Sequence, residues 1–220
     1  MMILYGNSIS PYVRKVLAYG AEKGLEFDLR MAGMGVGDAD FVEASPFRKM
    51  PGFRDVGGGE DGGDFTICDS TAIIAYLEAK YPEPNLIPKS PAAHARTIWY
   101  EEFGDTILMG TGRKMFFNRL VSPRFLKIPG NLEEADLAER DELPPILDYL
   151  ESVIPDSGFL VEDRLTLADL AVASPFANLG HINVTVDPAT YPRTAAYVDA
   201  ILARPSFAHI VAGERAFLAR

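Results

Sequence analysis

Ser10, Met50 and Pro51 are the first residues whose types and positions could do chemistry. Ser10 precedes a proline at the predicted start of a helix, where a hydroxyl beside the positive end of the helix dipole favours a thiolate or another anion. Met50 and Pro51 open a predicted strand. A cis bond between them would turn the backbone of Met50 outward to pair with a peptide-like ligand.

Asp69 and Ser70 begin the next predicted helix. The N–H groups of that helix and Ser70 would bind a carboxylate, and Asp69 would bind an ammonium group, so the pair suits the head group of an amino acid. Lys49 would meet another carboxylate or be solvated. Singly, each feature is also typical of an ordinary helix cap, turn proline or surface lysine. Together they predict a groove for an extended, anionic peptide with sulfur at its centre.

Other reactive side chains give weaker signals. Cys68 could indicate thiol redox chemistry, but its place in a predicted strand favours a small buried cysteine. His94, His181 and His209 are scattered through the chain with no cysteine cluster or carboxylate at ligand spacing. The sequence therefore predicts neither a metal site nor a hydrolase triad.

The elements that must position these residues follow from the apolar pattern. Strands are predicted at 3–5, 26–31, 52–56 and 65–68, and helices at 11–23 and 70–81. Five glycines in 57–63 predict a mobile turn between the last two strands. A β-α-β unit followed by a hairpin and a helix predicts a small α/β domain with a mixed sheet.

The pattern of predicted elements changes near residue 82, from alternating strands and helices to helices alone. Four prolines at 82, 84, 88 and 91 predict a stiff linker. Beyond it, helices are predicted at 92–119, 133–153, 166–180, 191–203 and 206–218. The expected organisation is an α/β domain over 1–81, a linker over 82–91 and an all-α domain over 92–220.

Composition and charge exclude several classes of protein. The 220 residues are 48% hydrophobic, enough for a core without metals or disulfides, and a single cysteine suits a reducing cytoplasm. The charge is −10, from 21 basic and 31 acidic residues, which argues against binding nucleic acid or anionic lipid. No apolar run approaches a membrane span, and the first residues lack the basic start of a signal peptide.

The chain resembles the glutathione transferase family, in its cytosolic, serine-type branch. The matching segments are Tyr-Gly-Asn-Ser-Ile-Ser-Pro-Tyr-Val-Arg-Lys-Val at 5–16, Ser-Pro-Phe-Arg-Lys-Met-Pro at 45–51, Ile-Cys-Asp-Ser-Thr-Ala-Ile-Ile-Ala-Tyr-Leu at 67–77 and Leu-Thr-Leu-Ala-Asp at 165–169. Ser10 stands where glutaredoxins have the first cysteine of Cys-Pro-Tyr-Cys. In the last segment the family has a capping box, here Thr166 with Asp169. The resemblance implies a thioredoxin-like domain followed by an all-helical domain.

The resemblance also implies a role for each candidate residue. Ser10 corresponds to the catalytic serine whose hydroxyl hydrogen-bonds the glutathione sulfur, although some classes use a tyrosine near Tyr5 instead. The helix N-terminus behind Ser10 favours the serine. The implied glutathione-binding residues are Lys49 at the glycyl end, Met50 with cis-Pro51 at the cysteinyl unit, and Asp69 with Ser70 at the γ-glutamyl end.

Two expectations concern the rest of the site. Segment 31–44 contains no Lys, Arg or His, where several classes place basic residues over the glycyl carboxylate, so a weaker grip is expected there. The family's acceptor pocket is lined from the first long helix of the second domain, which implies Met109 and Arg113, with Tyr12 from the first domain.

Two functions remain open on the sequence alone. One is an enzyme that activates the glutathione thiol for attack on a small hydrophobic electrophile, as a cytoplasmic homodimer that serves detoxification. The other is a non-catalytic protein that keeps the fold and uses its helical domain to dock a partner. Glutathione is the expected co-substrate, and no metal is expected.

Overall fold

The computed structural model describes residues 1–33 and 35–220; Met34, inside the 31–44 segment considered above, lies outside the described residues. Contacts between Cα atoms divide the chain into two compact units. The first comprises residues 1–86 together with 209–220, and the second comprises residues 87–208.

The first unit contains a four-stranded sheet and three helices of its own. Its elements in chain order are β1 (Met2–Tyr5), α1 (Pro11–Glu22), β2 (Asp28–Arg30), α2 (Ala39–Ala44), β3 (Gly52–Asp55), β4 (Phe65–Cys68) and α3 (Ser70–Lys80). The strand order is β2-β1-β3-β4, with β1 parallel to β2 and antiparallel to β3, and β3 antiparallel to β4. The predicted mixed sheet with a β-α-β unit and a hairpin is confirmed.

Alternation along the strands gives the sheet two buried faces. Ile3 and Tyr5 point to one side, where they form a cluster with Phe41 of α2. Leu4 and its cross-strand partner Phe53 share the opposite side and are fully buried. Helices α1 and α3 pack against each other. Their apolar faces, including residues 13, 16, 73, 74 and 77, are fully buried.

Two local features of this unit differ from the expectation. The strand expected at 26–31 is only Asp28–Arg30, and its side chains are largely exposed, so alternation there overstated its length. Helix α2 was not expected, because six residues give too short a periodic pattern. Its signal is Asp38, whose carboxylate accepts a hydrogen bond from the N–H of Phe41 at 2.9 Å and so caps the helix.

The second unit is helical. Helix α4 (Pro91–Glu102) continues through a π-helical stretch (Phe103–Leu108) into α5 (Met109–Phe116) and a second π-helical stretch (Phe117–Leu126). After α6 (Leu132–Leu137), a third π-helical stretch (Ala138–Glu142) leads into α7 (Leu143–Val153). The remaining helices are α8 (Leu167–His181), α9 (Pro192–Leu202) and α10 (Pro205–Leu218), and the residues of α10 from 209 onward belong to the first unit.

Helix α8 is the centre of the second unit. It packs against α4, α5 and α9, and its residues from 167 to 179 are buried. The predicted capping box is present at its start, where the carboxylate of Asp169 accepts a hydrogen bond from the N–H of Thr166 at 2.9 Å. Asp169 also accepts from the N–H of Leu160 at 2.9 Å and the hydroxyl of Tyr197 at 3.3 Å. One buried carboxylate therefore holds three segments together.

The limits of the two units differ from the domain limits expected from sequence in one place. Residues 209–220 group with the first unit, whereas the helical pattern alone assigns them to the second. An ion pair accounts for the grouping: the side chains of Arg14 in α1 and Glu214 in α10 meet at 2.8 Å, and both are buried. The sequence-based limits of 1–81, 82–91 and 92–220 stay a prediction.

Candidate functional site

The sheet brings the three candidate segments to one of its ends. Tyr5, Gly52 and Cys68 are direct cross-strand partners, in one row across β1, β3 and β4. The segment that leads to Ser10 leaves this row after Tyr5, Met50 and Pro51 enter it before Gly52, and Asp69 leaves it after Cys68. Neighbouring strands lie about 5 Å apart. Three strand ends and the N-termini of two helices therefore lie at one end of the sheet. The groove stays a prediction.

Ser10 occupies the predicted N-cap position of α1, but its side chain does not cap the helix. The hydroxyl makes no hydrogen bond to any residue the structure describes, and the side chain is half-buried. The backbone of Ser10 is fixed on both sides: its N–H donates to the carbonyl of Asn7, and its carbonyl accepts from the N–H of Arg14, both at 2.9 Å. The hydroxyl is therefore held in place and left available beside the positive end of α1.

Asn7 is a positioning residue that the sequence analysis missed. Its side-chain oxygen accepts from the N–H of Ile9 at 2.9 Å, and its carbonyl accepts from the N–H of Ser10. An asparagine that bonds the backbone two residues ahead forms an Asx turn. The Asn-Ser-Ile-Ser pattern in a loop that leads to a helix is the signal that could have revealed it.

The Met50–Pro51 peptide bond is cis, as expected from the sequence. Neither the N–H nor the carbonyl of Met50 forms a hydrogen bond within the described part of the chain. The side chain of Met50 packs against Gly33, where an added Cβ would come within 2.8 Å of the Met50 sulfur. The backbone N–H and carbonyl of Met50 are thus unpaired within the described residues, while its side chain packs against Gly33.

Lys49 lies in a loop that is braced by a buried serine. The hydroxyl of Ser45 donates to the carbonyl of Lys49 at 2.6 Å and accepts from its N–H at 3.1 Å. The Lys49 ammonium group is exposed and has no partner among the described residues. Ser45 is a second positioning residue that the sequence analysis missed, and an ST-turn signal marks it.

Asp69 and Ser70 lie at the start of α3, and their hydrogen bonding differs from the expectation. One carboxylate oxygen of Asp69 caps the helix, accepting from the N–H groups of Thr71 at 2.9 Å and Ala72 at 3.2 Å. Its second oxygen is unbonded in the described chain. Ser70 is 3% exposed, yet neither its N–H nor its hydroxyl has a partner among the described residues. Ser70 therefore supplies the free donors, and Asp69 supplies one free acceptor.

Asp69 has an unusual backbone conformation. Its φ of +81° lies in a region that few residues other than glycine adopt. Strain of this kind persists where the surrounding structure imposes it, and such residues cluster at ligand-binding and catalytic sites.

The hydroxyl of Tyr5, the alternative to that of Ser10, is buried inside the protein. Tyr5 is 1% exposed, and its hydroxyl lies beside Arg54 without contact with solvent. The ring packs in the cluster on the α2 face of the sheet. Cys68 is half-buried rather than fully buried as expected, because β4 is a partly exposed edge strand.

The strongly perturbed ionisable groups around the sheet lie at its opposite end. Asp55, at the other end of β3, accepts from the Lys80 ammonium at 2.6 Å and the Tyr76 hydroxyl at 2.9 Å. The carboxylate of Asp55 raises the pKa of Lys80, and burial raises the pKa of Tyr76. This cluster ties β3 to α3. A search for perturbed pKa values would have led away from the candidate site.

The residues predicted to line an acceptor pocket belong to different units. Tyr12 is half-buried in α1 of the first unit, whereas Met109 and Arg113 lie on α5 of the second. Met109 is 5% exposed and Arg113 is exposed. The acceptor pocket stays a prediction.

Within residues 1–33 and 35–220, no three His, Cys, Asp or Glu side chains gather as metal ligands would. None of the helices in these ranges has both the length and the hydropathy that crossing a membrane requires.

Comparison with known proteins identifies relatives along nearly the whole chain. A glutathione S-transferase of Hyoscyamus muticus is 30% identical over 216 residues, which cover 96% of this chain and 97% of that protein. A stringent starvation protein A homolog of Coxiella burnetii is 26% identical over 207 residues, covering 94% and 90%. The solved structure of FzlA from C. crescentus has the same fold, with a TM-score of 0.84 and 21% identity, covering 96% of this chain and 92% of that one.

The domain families that match the chain agree with these relatives. Residues 4–85 match the family described as glutathione S-transferase, N-terminal domain, and residues 113–205 match glutathione S-transferase, C-terminal domain. The expected architecture, a thioredoxin-like domain followed by an all-helical domain, is confirmed. On its sequence and its fold, the chain belongs to the glutathione S-transferase family of enzymes.

Proposed function

We propose that the protein binds glutathione across the Tyr5–Gly52–Cys68 end of the sheet and activates its thiol as a thiolate. The observation that carries this proposal is the set of polar groups left unpaired there: the Ser10 hydroxyl, the Met50 backbone, and the N–H and hydroxyl of Ser70. A folded protein pairs nearly all polar groups that it withdraws from water. Unpaired groups gathered at one edge are therefore candidates for ligand binding.

The chemistry of glutathione matches these groups in order. The molecule is an extended peptide with a carboxylate and an ammonium at the γ-glutamyl end, a thiol in the middle and a carboxylate at the glycyl end. Ser70 donates to the γ-glutamyl carboxylate, and the free oxygen of Asp69 accepts from the ammonium. Met50 pairs with the cysteinyl backbone as a strand would. Lys49 meets the glycyl carboxylate.

Ser10 acts on the thiol at the centre of the ligand. A free thiol has a pKa near 8.5, so only a few per cent is ionised at pH 7. Lowering the pKa by about two units needs roughly 2.7 kcal/mol of preference for the anion. One hydroxyl hydrogen bond and the N-terminus of α1 are of that order. The thiolate then attacks an electrophilic carbon, forming a carbon–sulfur bond while the leaving group departs with its electron pair.

The finer assignments follow from the family resemblance. We propose a small hydrophobic electrophile as the second substrate, with Tyr12, Met109 and Arg113 lining its pocket. We also propose a cytoplasmic homodimer that serves detoxification.

Calorimetric titration with glutathione tests the proposal. Ser70→Ala removes one donor to the γ-glutamyl carboxylate and should weaken binding by about 1–3 kcal/mol, or roughly 5- to 150-fold in Kd. Ser8→Ala, a serine of the β1–α1 loop with no assigned role, should bind as the wild type does. Equal affinity in wild type and Ser70→Ala would place the ligand elsewhere.

A second candidate function is suggested by the names of two relatives. The stringent starvation protein A homolog matches 94% of this chain in sequence and FzlA matches 96% of it in fold, and neither name denotes a transferase. A protein that only docks a partner would bind glutathione weakly or not at all, and would give no turnover with a panel of aryl halides and isothiocyanates. The free Ser10 hydroxyl favours the enzyme.

A further inference from the structure

The first turn of α1 is backed by a buried ion pair. The Arg14 guanidinium donates to Glu214 in two places: Nε lies 3.0 Å from Oε1, and the terminal nitrogen lies 2.8 Å from Oε2. The Arg14 side chain is 0% exposed and that of Glu214 is 1% exposed. The two residues are 200 positions apart in the chain and lie in the same compact unit.

Arg14 follows Ser10 by one helical turn. Residues four apart share a face of a helix, and four residues rise by about 6 Å along its axis. Helical side chains also lean toward the N-terminus of their own helix, so the Arg14 side chain is expected to extend toward the turn that begins at Ser10. The N–H of Arg14 donates to the Ser10 carbonyl at 2.9 Å, which ties the two positions rigidly.

A buried charge on the residue one helical turn after Ser10 acts on an anion bound at the Ser10 hydroxyl. Charges inside a protein interact more strongly than in water, because little solvent screens them. Arg14 alone would favour a thiolate, and Glu214 alone would oppose it. When both charges are present, their electrostatic fields nearly cancel at long range and leave the field of a dipole at short range.

Other charged groups on α1 and on the helices packed against it have separate roles. Glu78 of α3 is matched by Lys23 at 2.7 Å, and Asp69 caps α3. Lys15 is buried on α1, about 100° around the helix from Arg14. His209 and Arg215 lie on α10 beside Glu214, and Arg215 is exposed. All of these groups are unchanged in the variants used below, so differences between variants report on the pair.

We propose that Arg14 and Glu214 act with opposite sign on a thiol bound at Ser10: Arg14 favours the thiolate, and Glu214 on α10 offsets that effect and so limits the acidity of the thiol. Neither residue touches the thiol; both are positioning residues that act through the first turn of α1. The inference rests on the proposed function, since it assumes a thiol at Ser10.

The test measures the ionisation of bound glutathione from its thiolate ultraviolet absorbance against pH, together with the pH profile of turnover. Arg14→Met leaves the Glu214 charge alone and should raise the apparent thiol pKa by about one unit. Glu214→Gln leaves the Arg14 charge alone and should lower it by a similar amount. The double variant, which removes both charges, should return to within a few tenths of a unit of the wild type.

Two further variants separate charge from packing. Arg14→Lys keeps the positive charge but loses the two hydrogen bonds that the guanidinium donates to Glu214. The melting temperature of this variant should therefore fall, while the pKa of the bound thiol should not change. Ser90→Ala, at a similar Ser-Pro helix start in the second unit, should leave both quantities unchanged. If Arg14→Met does not fold, a thiol pKa that falls in Glu214→Gln and is unchanged in Arg14→Lys still supports the inference, and an unchanged pKa in Glu214→Gln overturns it.

The outcomes distinguish this inference from the proposed function. Single variants that shift the thiol pKa in the same direction, or do not shift it, show a purely structural pair and overturn the inference alone. A wild type that does not bind glutathione overturns both. Shifts of opposite sign that cancel in the double variant support the inference.

Discussion

At the scale of single residues, the hydroxyl of Ser10 has the sharpest expected effect. If it stabilises the thiolate, Ser10→Ala should raise the pKa of bound glutathione toward its free value. Turnover at neutral pH should fall by about one to two orders of magnitude, for a loss of roughly 1.4–2.7 kcal/mol of thiolate stabilisation. The rate should recover at high pH, where solvent removes the proton. The measurement is turnover against pH with a generic aryl halide.

The chain contains a matched control for that change. Ser90 begins α4 with nearly the same geometry, a Ser-Pro pair with φ near −68° and no side-chain cap. Ser90→Ala should leave the pH profile unmoved. Tyr5→Phe should also leave it unmoved, because the Tyr5 hydroxyl is sealed from solvent. A profile that moves with Tyr5→Phe and not with Ser10→Ala would mean that the wrong hydroxyl was assigned.

The sequence predicted which elements carry the candidate residues better than it predicted how those residues are hydrogen-bonded. The Ser-Pro pair fixes where α1 starts, because proline suits the first helical position and a serine often precedes it. That the hydroxyl stays uncapped depends on how the β1–α1 loop closes through Asn7, which is tertiary geometry. The positive φ of Asp69 likewise follows from β4 and α3 meeting at a fixed angle, and local propensity opposes it.

At the scale of elements, Gly104 tests how closely two helices must approach. A Cβ at this position would lie 2.6 Å from the carbonyl oxygen of Ala171 in α8, and backbone cannot give way as a side chain can. Gly104→Ala should therefore destabilise the protein by about 1–3 kcal/mol in denaturant unfolding. Gly110 in α5 has no atom within 4 Å of its added Cβ. There, Gly110→Ala should stabilise by about 0.5–1 kcal/mol.

Asp169, at the start of α8, makes a contribution to the stability of the protein that depends on pH. Burial raises its pKa from 3.8 to about 6, so the folded protein holds this proton over a range where the unfolded chain has lost it. Its contribution to stability is therefore largest at acidic pH and falls as the pH rises from about 4 to 6. The full change is up to about 3 kcal/mol.

Comparison with Asp169→Asn isolates this effect from the other carboxylates. The stability of the wild type relative to that variant should grow as the pH falls from 7 to 4, by urea unfolding at each pH. A relative stability that shrinks over this range would show that the hydrogen bonds to Asp169 outweigh its burial.

Element boundaries show where sequence patterns stop being informative. The helix predicted at 92–119 runs from Pro91 to Leu126, because α4 passes through π-helical stretches into α5 and beyond it. Such stretches keep the chain helical while shifting the phase of its apolar face, so periodicity at 3.6 residues fades before the helix ends.

At the scale of the whole molecule, the expected state is a two-fold homodimer. Light scattering at micromolar concentration should then give twice the 24.1 kDa of one chain. Phe47 is 84% exposed in the loop that carries Lys49, and a phenyl group gains most from burial at an interface. Phe47→Ser should shift the equilibrium toward monomer without lowering the melting temperature of the monomer. A wild-type mass of 24 kDa would contradict the dimer.

The buried ion pair also has a consequence for synthesis. A ribosome adds about 5–20 residues per second, so about 10–40 s separate the translation of Arg14 from that of Glu214, 200 residues later. Until Glu214 emerges, the buried Arg14–Glu214 ion pair cannot form. Although its strands are translated first, the first unit therefore reaches its final packing only after the helical unit has been made.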